Sequence, residues 1–184
     1  FRRVLFRSNN HPIHIEIGMG KGKFIIQMAK KYPDINFIGI EMYDSVLVKA
    51  VKALEEEEKR IHNLKLLLLD ANNIDKVFQQ EIEVIYLNFS DPWPKARHAK
   101  RRLTSKNFLD KYDKIFREKH TIIQKTDNDD LFHFSIEMLK ENGYNLIDVT
   151  DDLQSLHDEN NVLTEYESKF MEKGIKINRL KAIK

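Results

Sequence analysis

The apolar positions of the chain change period repeatedly, and each change marks an element. Ile13-His-Ile-Glu-Ile17 alternates and is rich in β-branched residues, which predicts a first strand. After Gly18-Met-Gly-Lys-Gly22, the residues Phe24, Ile25, Met28, Ala29 and Tyr32 recur at helical spacing until Pro33 stops them. Ile35 to Ile40 predicts a second strand ending at Glu41. Asp44 stands where an N-cap would open a helix whose Leu47, Val51 and Leu54 face the core, with Glu55 to Glu58 as its solvated end. Leu64 to Leu69 predicts a third strand ending at Asp70, and a short helix around Ile74 to Gln80 leads to a fourth strand, Ile82 to Leu87. A helix near Ser105–Phe116 precedes a fifth strand, Thr121 to Lys125, which ends at Asp127. Asp127 or Asn128 caps a helix carrying Leu131, Phe132, Ile136 and Leu139, closed by Gly143. A sixth strand at Tyr144–Val149, a helix from Thr164 to about Lys173 and a last strand within Ile175–Ile183 complete the pattern.

Strands alternating with helices predict an α/β fold, a mostly parallel sheet with helices on both faces. Right-handed crossovers then put the C-terminal ends of the strands on one edge, where such folds bind ligands. Glu16, Gly18, Glu41, Asp70, Asp91 and Asp127 all fall at or just past predicted strand ends. One Asp at a strand–helix junction is ordinary N-capping, which accounts for Asp127 as well as any ligand does. Capping does not account for Glu16 or Glu41.

Composition narrows the chemistry. The 184 residues are 41% hydrophobic and 33% charged with a net charge of +2, so a polyanion has to be met by a local patch. No apolar run approaches the ~20 residues that cross a bilayer. With no cysteine there are no disulfides, no thiol nucleophile and no zinc–thiolate site, and a cytoplasmic protein is expected. The seven histidines are scattered singly, without a pair four residues apart, so no metal is expected. Residues 1–12 read as a truncated or non-native N-terminal segment and residues 13–184 as a single domain.

The patch follows the fourth strand. In Asn88-Phe-Ser-Asp-Pro-Trp-Pro-Lys95 two prolines bracket the only tryptophan, and each pushes its predecessor toward extended geometry, so the loop should be stiff. Lys95-Ala-Arg-His-Ala-Lys-Arg-Arg102 then places five Lys or Arg in eight positions. A rigid acidic and aromatic corner joined to a dense basic run suits a base attached to a polyanion, and Arg97, His98, Lys100, Arg101 and Arg102 are candidate RNA contacts. A solvated loop and a packed Trp93 are the bland alternatives.

The glycine turn after strand one, with Gly18 and Gly20, and the acid Glu41 after strand two suit an adenosine-bearing cofactor. The dinucleotide spacing G-x-G-x-x-G is not met: glycines stand at 18, 20 and 22, and position 23 is Lys. Glu16 before the turn would repel a pyrophosphate but suits an ammonium. With Asp70 placed to accept from an adenine amino group, S-adenosylmethionine is favoured over a nicotinamide dinucleotide.

Ile15-Glu-Ile-Gly-Met-Gly-Lys-Gly-Lys-Phe24, Gly39-Ile-Glu41, the run from Asn88 to Leu103, Thr126-Asp-Asn128 and Thr164-Glu-Tyr-Glu-Ser-Lys-Phe170 closely resemble the tRNA (guanine-N7-)-methyltransferase family. The resemblance runs from residue 13 to the C-terminus. It implies a Rossmann-like seven-stranded sheet with the last strand antiparallel, and methyl transfer from S-adenosylmethionine to N7 of guanine 46 in the tRNA variable loop. It also implies that Glu16, Glu41, Asp70 and Asp91 serve the cofactor, with Asp91 catalytic. Lys95, Asp127, Thr164 and Glu167 would be substrate contacts, and Arg97 to Arg102 the RNA-interacting run. Thr164-x-x-Glu167 is equally a capping box for the last helix. The partner expected is tRNA, with the protein a monomer or weak homodimer. The competing readings are a Rossmann-type methyltransferase acting on another base or on a protein, and a catalytically silent RNA-binding module of the same fold.

Overall fold

A computed structural model describes Phe6 and residues 9–184. Seven strands form one sheet: β1 (Ile13–Ile17), β2 (Asn36–Glu41), β3 (Leu64–Leu68), β4 (Ile82–Asn88), β5 (Phe116–Thr126), β6 (Asn145–Thr150) and β7 (Asn178–Ile183). Their order is β3-β2-β1-β4-β5-β7-β6, with β7 antiparallel to both its neighbours and the other pairings parallel. The expected seven-stranded sheet with a reversed last strand is therefore present. The helices are α1 (Lys23–Lys31), α2 (Asp44–Glu55), α3 (Ile74–Val77), α4 (Lys106–Ile115), α5 (Asp129–Glu141) and α6 (Glu165–Glu172).

Strand alternation splits the core in two. Ile13, Ile15, Ile17, Ile38 and Ile40 pack with α3, α4 and α5 through Ile74, Phe108, Tyr112, Phe132 and Leu139. Phe37, Leu64 and Tyr86 pack on the other face with α1 and α2 through Phe24, Ile25, Met28, Ala29 and Ala50. Helix α2 departs from expectation in its inner face. Ala50 is its buried residue, Leu47 and Leu54 pack only in part, and Val51 is 38% exposed. The cause is close approach to α1: a Cβ on Gly22 would stand 3.3 Å from that of Ala50, so only a small side chain fits there. Asp44 is the first helical residue rather than the N-cap, which is Tyr43. Its carboxylate accepts from the Ser45 N–H at 2.6 Å instead of capping the turn. Of the two cap candidates for α5, Asn128 takes the role and accepts from the Leu131 N–H at 2.8 Å.

Strand β5 begins directly where α4 ends, and its pairing with β4 jumps from Ile82↔Phe116 to Val84↔Thr121. Residues 117–120 remain part of the strand at its N-terminal end, where His120 and Lys184 exchange backbone hydrogen bonds at 3.1 and 3.0 Å. Phe6 is buried in the α4 and α5 side of the core, and Asn36 donates to Asn9 Oδ1 and the His11 carbonyl. Residues 1–5, 7 and 8 lie outside the described residues.

Asn63, just ahead of β3, was not singled out by pattern, yet its amide donates to the carbonyls of Ala29, Tyr32 and Ile35 at 3.0, 3.1 and 2.8 Å. These carbonyls lie at the end of α1 and the entry to β2, where helix and strand pairing leave acceptors short of donors once away from water, although that of Tyr32 also takes the Ile35 N–H at 3.2 Å. Asn63→Ala is expected to cost about 1–3 kcal/mol, because the carbonyls stay while their donor goes. Urea denaturation of the two proteins measures it, and an unshifted midpoint would mean water replaces the amide without loss.

Candidate active site

Parallel strands on either side of β1 and β4 leave in opposite directions along the sheet, which opens a crevice at their C-terminal ends. The acids expected there have very different surroundings. Glu16, on β1, is 2% exposed and its Oε1 accepts from Asn88 Nδ2 of β4 at 2.8 Å. Its Oε2 is buried with no partner among the described residues. Burial pushes the carboxyl up to about 8, against the pull of the Asn88 hydrogen bond and Lys125, with Glu41 adding a further upward push.

Glu41 closes β2, and its two oxygens organise the turn beside it. Oε2 accepts from the Gly20 N–H at 3.1 Å, and Oε1 from those of Met42 and Tyr43 at 2.8 and 3.1 Å. The turn is tied down further by the Gly18 and Met19 N–H groups on the Ile40 carbonyl. Gly18 and Gly20 have φ of +77° and +58°, and a Cβ on either would meet nothing within 4 Å. The backbone conformation demands glycine, and the space in front of the turn is open. Asp70, exposed after β3, accepts from the backbone and side-chain amides of Asn72 at 2.8 and 2.9 Å. Between Glu41 and Asp70 the side chains of Met42 and Leu68 are 52% and 51% exposed, an apolar rim the strand pattern did not flag as part of a site.

Asp91 lies on the loop after β4. It is exposed, and among the described residues nothing pairs with its carboxylate. The loop is reversed on both sides of it: Phe89 has φ of +51° and Trp93 of +43°. The left-handed backbone at Trp93 departs from the extended geometry expected before Pro94. The surroundings override the local preference: Arg102 donates to the carbonyls of Pro92 and Trp93 at 2.9 and 3.3 Å, and Arg101 lies 4.9 Å over the indole ring. Phe89 packs against Tyr166 and Phe170 of α6.

The basic run forms a short 3-10 helix, Ala96–Arg101. Lys95, Arg97, Lys100 and Arg101 are exposed and His98 is half-buried against Trp93. Arg102 is turned inward, 8% exposed, with its guanidinium 4.4 Å from the Phe134 ring centre. Asp127 is exposed beyond β5. Thr164 and Glu167 are buried and make the reciprocal capping box of α6. Glu167 also accepts from Lys125 Nζ at 2.9 Å, and that ammonium donates to the Val162 carbonyl at 3.0 Å. Burial pulls the Lys125 ammonium down, opposed chiefly by the Glu167 charge. The sequence pattern marks Lys125 only as the last residue of a strand. Its sole sequence signal was a cation at a core-facing position. Among the described residues, no group of three or more His, Asp or Glu is arranged to hold a metal, and no helix is long and apolar enough to cross a membrane.

This sheet order, with an open glycine turn after β1 and acids at the C-terminal ends of β1, β2 and β3, is that of Rossmann-like methyltransferases. Solved structures with the same fold include the 16S rRNA methyltransferase KamB, at a TM-score of 0.70 and 12% identity over 96% of this chain and 89% of that one. Another is fibrillarin of Aeropyrum pernix with natively bound S-adenosyl-L-methionine, at 0.58 and 13% over 95% and 66%. A family profile described as "Putative methyltransferase" matches residues 10–180. The tRNA (guanine-N(7)-)-methyltransferase of Oceanobacillus iheyensis is 51% identical over 95% of this chain and 82% of its own length, and that of Streptococcus mutans 50% over 95% and 82%. The chain belongs to the tRNA (guanine-N(7)-)-methyltransferase family.

The raised Glu16 carboxyl makes a prediction for the ligand-free protein. Between pH 4.5 and about 8 the unfolded chain ionises Glu16 while the folded chain keeps it protonated. The folded state therefore binds more protons, and this group's contribution to stability falls as pH rises, by at most about 1.4 kcal/mol per unit, levelling above pH 8. Glu16→Gln, which still accepts from Asn88, should remove that slope in urea titrations at pH 5.5 and 7.5. Parallel curves for the two proteins would show that the carboxyl is ionised on folding.

Proposed function

We propose that this protein transfers a methyl group from S-adenosylmethionine to N7 of guanine 46 in the tRNA variable loop, giving 7-methylguanosine. The observation that carries the reading is the pairing of two unlike carboxylates at one sheet edge: Glu16, sealed and half-satisfied, and Asp91, exposed and free.

The cofactor side fits its residues. Glu16 Oε2 is buried without a partner among the described residues, which a ligand ammonium would supply, and the open space before Gly18 and Gly20 admits a ligand against the backbone. Glu41 spends three of its roughly four acceptor sites on N–H groups, which leaves it about one for a ribose hydroxyl. Asp70 and the apolar Met42 and Leu68 suit the amino edge and the faces of an adenine. S-adenosylmethionine, when bound, supplies a methyl group activated on a sulfonium.

Guanine N7 presents a lone pair and no proton, so the protein's task is orientation and charge compensation rather than deprotonation. Asp91 can accept from guanine N1–H and the exocyclic amine, and its charge offsets the positive charge that the purine gains. Adenine offers an unprotonated N1 at that edge and is rejected. Lys95 and Asp127 flank Asp91 on the loops after β4 and β5 and contribute to holding the nucleotide. Thr164 and Glu167 serve it by fixing α6, and the exposed Arg97, Lys100 and Arg101, with His98 beside them, meet the phosphates. A tRNA substrate puts the enzyme in the cytoplasm.

The test is incubation of unmodified tRNA with labelled S-adenosylmethionine, followed by nucleoside analysis and mapping of the modified position. 7-Methylguanosine at nucleotide 46, absent from a transcript carrying adenosine there, is the expected result. Label in another nucleoside, or undiminished label in that transcript, would overturn it. Asp91→Asn keeps the shape but presents a donor to donors, and single-turnover methylation should slow by ~10²–10³. With cofactor saturating, wild-type single-turnover rates should stay level from about pH 6 to 8, since no proton leaves N7 in the chemical step. A tenfold rise per pH unit, lost in Asp91→Asn, would make Asp91 a general base instead.

A further inference from the structure

We propose that Arg102 is a positioning residue for Asp91 rather than one of the phosphate contacts. The proposal rests on the reading of Asp91 above. Arg102 closes a run of exposed cations but is 8% exposed. Its Nε and Nη2 donate to the carbonyls of Pro92 and Trp93, which immediately follow Asp91, at 2.9 and 3.3 Å. The guanidinium face rests on Phe134 of α5 at 4.4 Å. The chain on either side is fixed as well: the Arg102 N–H donates to the Ala99 carbonyl at 3.0 Å, and the Thr104 hydroxyl is 2.7 Å from that of Ser135, also on α5. These contacts use two of the five guanidinium donors, and burial of the side chain withholds the others from a phosphate in solution.

The anchored residue is a strained one. Trp93 holds a φ of +43° before a proline, a conformation that persists only when its surroundings over-determine it. Two charge-assisted hydrogen bonds from a planar fork are such a determinant, and a lysine ammonium cannot reproduce the fork. Arg102 thereby transfers the rigidity of α5 to the loop carrying Asp91. Its counterpart on the other side is Phe89, held by α6 and by its N–H on the Lys125 carbonyl at 2.8 Å.

Trp93 is the only tryptophan, so its fluorescence reports the loop directly. Acrylamide quenching of ligand-free wild type, Arg102→Lys and Arg102→Gln is measured alongside far-UV circular dichroism, the salt dependence of tRNA binding, and single-turnover methylation at saturating tRNA and cofactor. Both variants should keep the dichroism spectrum and the wild-type slope of log affinity against log salt. Trp93 should become easier to quench in both, and methylation should fall about 10²-fold, the scale of a displaced reacting geometry. Arg97→Gln, from the exposed part of the run, should lower the salt slope by about one. The proposal is overturned if Arg102→Gln lowers the slope by about one while quenching is unchanged, or if Arg102→Lys behaves as wild type throughout. Arg102→Lys retains the charge and the stem, so it stays informative even if Arg102→Gln does not fold. If wild type neither binds nor methylates tRNA, the functional reading fails, while the quenching comparison still decides whether Arg102 holds the loop.

Discussion

A hydrogen bond between a carboxyl and an amide, Glu16 to Asn88, spans the two strands where the sheet changes direction. It is buried, so neither group can turn to water instead, and it fixes the relative height of the ends of β1 and β4. Everything that follows those ends inherits that height: the glycine turn after β1 and the Asp91 loop after β4. Lys125, on the next strand, carries the arrangement outward to Glu167 and hence to α6. Polar side chains from β1, β4 and β5 thus lie near one another in an otherwise apolar interior. Two of their oxygens, Glu16 Oε2 and Asn88 Oδ1, are buried without a partner among the described residues.

The two acids most central to the proposed chemistry differ because their loops differ. Glu16 is reached before the chain leaves the sheet, so the core surrounds it and keeps it protonated over much of the neutral range. Asp91 is three residues beyond β4, after one left-handed residue and before another, and is pushed into the open. The first position suits binding a charge that stays for the whole reaction. The second suits meeting a large substrate that arrives from solvent.

Much of this could be read from the chain itself. Periodicity located five of the strands to within a residue, because stretches such as Ile13–Ile17 and Ile82–Asn88 bury β-branched residues whose spacing admits little else, whereas β5 begins five residues before its apolar run and β7 three residues into its own. The acids at strand ends were visible because a parallel sheet allows them only one edge. The errors share a cause: tertiary contact overrode a local preference. Helix α2 turned Ala50 rather than Val51 inward because α1 passes too close for a larger side chain. Trp93 gave up extended geometry because Arg102 holds the Pro92 and Trp93 carbonyls, one on either side of the Trp93 Cα. Asn63, Lys125 and Arg102 are polar residues whose partners lie far away in sequence or around a bend, and nothing in spacing announces such pairs.

Strand β7 lies between β5 and β6 although it follows both in the sequence. During synthesis, β6 therefore emerges from the ribosome with no neighbour to bond to, its place in the sheet depending on residues not yet made. The parallel half, β3 to β5, can assemble around the Glu16–Asn88 pair in the meantime, leaving the outer face of β5 as a temporary edge. Insertion of β7 closes that edge and recruits β6 in a single event. A nascent chain stalled before Asn178 would carry much of the proposed site's architecture beside an unpaired strand, a form well suited to recognition by chaperones.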